Sequence, residues 1–276
     1  MAGFIESAAG ISLYYTSSGE GRQTVLVPLA AWTGDFDVLA RGRRVVRYDP
    51  RGRGRSSAIQ VEQSSFDNDL ADLDVLREAL ALDRVALIGW SYFGGVVLRY
   101  AMLHPECVER VVWVGGPPAW RAGWVEQMQR EFGERMAAMP PDVKERQEEA
   151  RRGEDRRVKL RSMQEVFRHT RMGRDPVRPF PDSLADSPNE TLANVMPRVM
   201  RAMESMGDWD WRADAAKLQV PVLIVEGSAD LCTEASREWA KLLPNAKILW
   251  MDGVGHFPSF EDPERFFPAV DQFLSE

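Results

Sequence analysis

The sequence predicts an α/β fold, a mostly parallel, doubly wound sheet with a helical segment inserted in it. Three observations carry that expectation. Uncharged apolar runs at 24–28, 85–88 and 221–225 read as strands buried on both faces. Apolar residues at intervals of three and four, such as Phe66, Leu70, Leu73, Leu76 and Leu80, mark an amphipathic helix. Strand and helix alternate towards both ends of the chain, which implies parallel pairing through crossovers, whereas 117–207 holds almost no strand-like run.

Taken in order, 4–6 and 11–15 are expected to be short strands joined by a turn at Gly10. A third strand spans 24–28 and a fourth 44–49, with the small-residue loop Leu29-Ala30-Ala31-Trp32-Thr33-Gly34 between them. The helix that begins at Phe66 has Ser65 and Asp67 available to cap it. The strand from Val85 ends at Gly89, a helix runs from Gly94 to Leu103, and a further strand occupies 111–114. Within 117–207, 124–139 and 158–172 read as helices and 174–188, with four prolines, as irregular chain. Residues 142–157 are expected to be partly mobile. Trp120, Trp124, Phe132 and Phe167 give this insertion aromatic surface to bury, which argues against disorder. Alternation resumes with a strand at 221–226, a helix at 233–243, a strand at 247–251 and a closing helix at 263–274, where Pro263 suits the first turn.

The chain centres on Gly89-Trp90-Ser91-Tyr92-Phe93-Gly94-Gly95. A serine at a strand-to-helix turn is held clear of the sheet, and so sharp a turn needs small residues beside it. Earlier comes the glycine-rich turn Asp49-Pro50-Arg51-Gly52-Arg53-Gly54-Arg55-Ser56. Its three arginines are read as a solvated turn rather than a phosphate loop, since the third glycine and the helix of a dinucleotide fingerprint are missing. Together these motifs resemble the α/β-hydrolase superfamily, with its G-x-S-x-G nucleophile elbow and D-x-R-G-x-G-x-S turn. Phe93 stands where that family usually has glycine. The resemblance implies an α/β-hydrolase fold, with 1–116 and 208–276 as the core domain and 117–207 as a helical lid.

A serine hydroxyl is a poor nucleophile unless an imidazole takes its proton and an acid fixes the imidazole's tautomer. The superfamily places these groups in the order serine, acid, histidine, and Ser91, Asp230 and His256 follow that order, each after an expected strand. His104, in His-Pro-Glu at a helix end, and His169, in the insertion, are the other histidines. Glu226 and Asp252 are the acid's rivals; the family's G-x-x-D falls on Gly227 to Asp230. The resemblance also implies an oxyanion hole from the backbone N–H of Tyr92 and of a residue after the third strand. Pro28-Leu29 replaces the usual His-Gly there, so the second donor maps to Ala30, with Leu29 and Ala31 one step away in register. Leu29, Trp32, Trp90, Trp120, Trp124 and Phe257 are expected to wall an apolar substrate pocket.

Composition narrows the partners. A formal charge of -7 argues against nucleic acid. No run of eighteen apolar residues suggests a membrane span, no leader is visible at Met1, and Cys107 and Cys232 lie too far apart to suggest a disulfide framework. A cytoplasmic protein acting on a small molecule, without cofactor or metal, is expected. The resemblance implies a serine esterase or lactonase working through an acyl-enzyme on Ser91. One alternative is a proline-iminopeptidase-like aminopeptidase, disfavoured because the stretch between Arg121 and Arg178 is rich in arginine where a substrate ammonium needs carboxylates. The other, prompted by Phe93, is a binding protein that keeps the pocket and does no chemistry.

Overall fold

The computed structural model describes residues 1–7, 10–121, 123–190, 192–231 and 233–276, the side chains of Leu192 and Ala193 excepted; Cys232 lies outside them. Among the described residues one sheet is built from β1 (Ala2–Glu6), β2 (Ser12–Ser18), β3 (Thr24–Pro28), β4 (Arg44–Tyr48), β5 (Val85–Trp90), β6 (Val108–Val114), β7 (Val222–Gly227) and β8 (Ala246–Met251). Their order across the sheet is β1-β2-β4-β3-β5-β6-β7-β8. β2 runs antiparallel to both β1 and β4, and every pairing from β4 to β8 is parallel.

Parallel strands are covered on both faces, and the alternation of side chains shows it. Leu26, Leu87, Val111, Trp113 and Ile224 point into one hydrophobic cluster. Their neighbours Val25, Ala86, Val112, Val114 and Val225 point into a second cluster on the other face. Helices α1 (Phe66–Ala79) and α2 (Tyr92–Leu103) contribute Leu73, Leu76, Val96 and Val97 to the first. Ser65 caps α1 as its pattern predicts, its hydroxyl accepting the Asn68 N–H at 3.2 Å. Because β3 is flanked by β4 on one side and β5 on the other, the direction in which successive strands are added to the sheet reverses between β3 and β5. The carboxyl ends of these two strands therefore open a crevice, the usual ligand position in an open α/β sheet.

Between β6 and β7 lie α3 (Trp124–Ala138), α4 (Pro141–Arg152), α5 (Arg156–Thr170), α6 (Ser183–Asp186), α7 (Leu192–Ser205) and α8 (Arg212–Ala215). Only α3 and α5 were expected; of the other four, α4 and α7 are the long ones. α4 carries little apolar periodicity and buries only Val143 and Ala150. It is fixed instead by a small cluster of Met139, Val143 and Val166, and by Arg146, whose guanidinium meets Glu165 Oε1 at 2.5 Å. α7 contains Pro197, which obscures a helix in sequence. The whole segment leaves and returns through one narrow clasp. The Arg121 N–H donates to the Trp209 carbonyl at 3.0 Å, and the Trp211 N–H to the Ala119 carbonyl at 2.7 Å. Beyond it, α9 (Glu234–Leu242) precedes β8, and α10 (Pro258–Glu261) and α11 (Pro263–Ser275) close the chain. Phe266, Val270 and Phe273 of α11 fill the second cluster. No helix among the described residues is long and apolar enough to cross a membrane.

Candidate active site

Ser91 joins β5 to α2 with φ 56° and ψ −133°, a combination that L-residues adopt at a cost of about 1–3 kcal/mol. Its backbone is held on both sides: its N–H donates to the Val114 carbonyl at 2.8 Å, and its carbonyl accepts the Gly94 N–H at 2.8 Å. Small residues let the helix come that close. A Cβ at Gly89 would strike the Phe93 carbonyl, and one at Gly95 would lie 2.6 Å from the Pro117 ring. Phe93 does not obstruct the turn. Its ring is buried, meets Tyr92 edge-on at 5.1 Å, lies under the Arg53 guanidinium at 5.9 Å and forms part of the cavity wall.

The loops after β7 and β8 bring Asp230 and His256 together, with Asp230 Oδ2 2.6 Å from His256 Nδ1. Both side chains are more than nine-tenths buried. The other Asp230 oxygen accepts the Leu231 N–H at 2.6 Å, and the His256 N–H donates to the Arg171 carbonyl at 2.8 Å. Trp90 Nε1 donates to the His256 carbonyl at 2.6 Å, so the strand before the serine also steadies the histidine loop. Gly115 packs against the pair: a Cβ there would lie 3.0 Å from Asp230 Oδ2 and 3.3 Å from His256 Nδ1. His169 is exposed, His104 is half-buried away from the cavity, and His256 is the histidine that shares a cavity with Ser91. Of the rival acids, Asp252 is exposed and Glu226 is buried in the cavity wall. Burial, reinforced by the neighbouring Asp230 carboxylate, pushes the Glu226 carboxyl well above the usual range, which favours its neutral form.

The loop after β3 requires a correction. The Ala30 N–H donates to the Tyr48 carbonyl at 3.0 Å, continuing the β3–β4 ladder, and cannot serve an oxyanion. Ala31 is spent as well, on Asp49 Oδ1 at 3.2 Å. Leu29 remains: its N–H has no partner among the described residues, its φ is 67°, and it lines the cavity beside Ser91 and Tyr92. The Tyr92 N–H is the first of α2, and helix-start amides lack partners within the helix.

The cavity has a volume of about 460 Å³ and joins Ser91 and His256 to Leu29, Trp32, Trp90, Trp124 and Phe257. Trp120 is the exception among the expected wall residues. It stands at the clasp, 38% exposed, with the Arg212 guanidinium 4.0 Å from its ring centre. The glycine-rich turn also departs from expectation, because Arg51 and Arg53 point inward and only Arg55 stays exposed. Arg51 Nη2 meets Asp72 at 2.6 Å, and Arg53 meets Glu190, which lies beyond α6 in the inserted segment, at 2.8 Å. Glu190 further accepts the Gly54 N–H and Trp32 Nε1–H, both at 2.9 Å. Sequence reasoning missed Glu190, for which no local pattern speaks. Among the described residues no three potential ligands gather as a metal site.

Comparison with known proteins decides the family. The chain matches the alpha/beta hydrolase fold family over residues 29–263. It belongs to that family. As an alpha/beta hydrolase it is similar to a proline iminopeptidase of Heyndrickxia coagulans, 25% identical over 99% of this chain and 98% of the other. Its fold is like that of the esterase EaEST from Exiguobacterium antarcticum, with a TM-score of 0.73 and 20% identity over the whole of both chains. It is also like the enol-lactonase from Burkholderia xenovorans LB400, with a TM-score of 0.67 and 22% identity over 99% of this chain and 100% of that one. Alpha/beta hydrolases with such different substrates leave the choice of bond to the cavity.

Proposed function

We propose that this alpha/beta hydrolase cleaves carboxylic esters or lactones through an acyl-enzyme on Ser91. The observation that carries the reading is a serine on a strained strand-to-helix turn, sharing one apolar cavity with a buried histidine whose Nδ1 is 2.6 Å from an aspartate. In the proposed reaction Ser91 Oγ attacks the carbonyl carbon while His256 Nε2 takes its proton, and Asp230 holds the Nδ1–H. The N–H groups of Tyr92 and Leu29 receive the oxyanion; one such donor contributes about 2.7–4 kcal/mol. Collapse expels the alcohol with the proton from His256, and water then attacks the acyl-enzyme by the same route. Residues 117–207 act as a lid on the core formed by 1–116 and 208–276, which their single clasp supports.

The aminopeptidase reading needs a free carboxylate for the substrate's ammonium. Glu190 is the insertion's carboxylate in the cavity wall, and it is committed to Arg53, Gly54 and Trp32. That favours the ester.

The deciding experiment is intact mass after incubation with a fluorophosphonate. A single adduct on wild type, absent from Ser91→Ala and slow on His256→Ala, is expected. A folded wild type that takes no adduct overturns the reading in favour of a binding protein, with Phe93 as the first residue to revert.

A further inference from the structure

The ceiling of the cavity is made by helices of the inserted segment, and each shows it one stripe. α3 presents Trp124, Met128, Phe132 and Met136, every fourth residue. No residue of α3 is fully buried: the stripe lines the cavity, and only its last residue, Met136, also packs against Val143 of α4 and Val166 of α5. α7 does the same with Met196, Met200 and Met203, and α5 adds Met163 and Phe167. A core built for rigidity would use branched leucine and isoleucine here. Methionine is unbranched, turns about three bonds and is polarisable, so it conforms to apolar groups of varying shape.

The charged groups of the wall do not ask for a charged ligand. The Arg53 guanidinium is satisfied by Glu190, and that of Arg171 stacks on the Phe132 ring at 5.1 Å. At roughly 30 Å³ for a water-sized group, the cavity of about 460 Å³ holds on the order of fifteen heavy atoms. An acetyl group would leave most of it empty.

We infer that the acyl group this site receives is an uncharged, flexible hydrocarbon chain of medium length, about eight carbons, lying along the methionine faces of α3 and α7 with its carbonyl at Ser91, the other half of the roughly fifteen positions being left to the ester oxygens and the alcohol. The inference rests on the ester reading above and names the substrate class for it.

The test is binding, measured by calorimetry with straight-chain primary alcohols from butanol to dodecanol on wild type and Ser91→Ala. Affinity is expected to rise up to about fourfold per added methylene and to level off near eight to ten carbons. Met200→Lys should weaken octanol at least tenfold while Met200→Leu, which keeps the apolar volume, binds it nearly as wild type does. A flat series, or tightest binding of butanol, overturns the inference, and the wild-type series decides it even where Met200→Lys does not fold. Absence of ester cleavage would sink the ester reading without touching a rising alcohol series. Cleavage of esters alongside a flat series would sink the chain inference alone.

Discussion

Glu190 and Arg53, 137 residues apart in sequence, meet at 2.8 Å with 2% and 7% of their side chains exposed. The pair links the inserted segment to the turn after β4 at the wall of the cavity. Burial would push the Glu190 carboxyl up, but the Arg53 guanidinium and its hydrogen bonds hold it below the usual range, so the glutamate stays ionised.

Glu190→Leu alone should therefore destabilise the protein by about 3–5 kcal/mol, because a buried guanidinium loses its ion-pair and hydrogen-bond partner. Combining it with Arg53→Met should recover most of that loss. Urea unfolding of the four proteins in the cycle measures the coupling, and a double variant no better than Glu190→Leu would refute it.

Tyr92 supplies the second link between the serine turn and its surroundings, its hydroxyl donating to Asp69 Oδ2 at 2.7 Å. Burial pushes the Asp69 carboxyl from 3.8 up to about 7, against the Tyr92 hydrogen bond that holds it down. Between those values the native protein keeps a proton that the unfolded chain releases. Asp69 thus subtracts stability as pH rises from about 4 to about 7, and the loss is complete above that window. Asp69→Asn should flatten this part of the curve and gain on wild type up to an order of 4 kcal/mol by pH 8. Thermal melts from pH 5 to pH 8 show the gain, and a difference that shrinks with pH contradicts it.

The two carboxyls near His256 should behave oppositely. Asp230→Asn should lower kcat by about 10⁴-fold, since the amide presents the wrong partner to Nδ1. Glu226→Gln resembles the neutral form that burial favours and should leave kcat within about threefold. Steady-state kinetics on an activated aryl ester distinguishes them; a reversal would make Glu226 the acid.

Phe93→Gly should cost about 3–5 kcal/mol of stability through the cavity it leaves, with kcat/KM on a short ester within about tenfold of wild type. Ser91 owes its geometry to Val114 and Gly94 and not to that ring. A large gain in turnover would mean that the ring distorts the turn.

Much of the sheet was legible because strands buried on both faces show as short, largely apolar runs; β3 begins and ends where its run does. That Ser91, Asp230 and His256 come together along one cavity was legible, because strand ends and chain order place them. The donor after β3 was not. Leu29, Ala30 and Ala31 differ there only in where each N–H points, which depends on the neighbouring strand. α4 stayed hidden because arginine–glutamate pairing, not an apolar stripe, holds it. The inward turn of Arg53 was equally hidden, since its partner Glu190 is fixed by the packing of a distant segment.

The clasp at Ala119–Arg121 and Trp209–Trp211 makes the inserted segment a transplantable cassette. Its two ends are hydrogen-bonded neighbours, so a substitute of different length and helix count has the same short gap to bridge, and lengthening such a loop costs little. Splicing at this pair leaves the turns that carry Ser91, Asp230 and His256 outside the exchanged piece. Recombining ceilings between relatives at these two positions would thus retune what enters, provided that the replacement again offers a carbonyl to the His256 N–H, as Arg171 does here, and a carboxylate to Arg53.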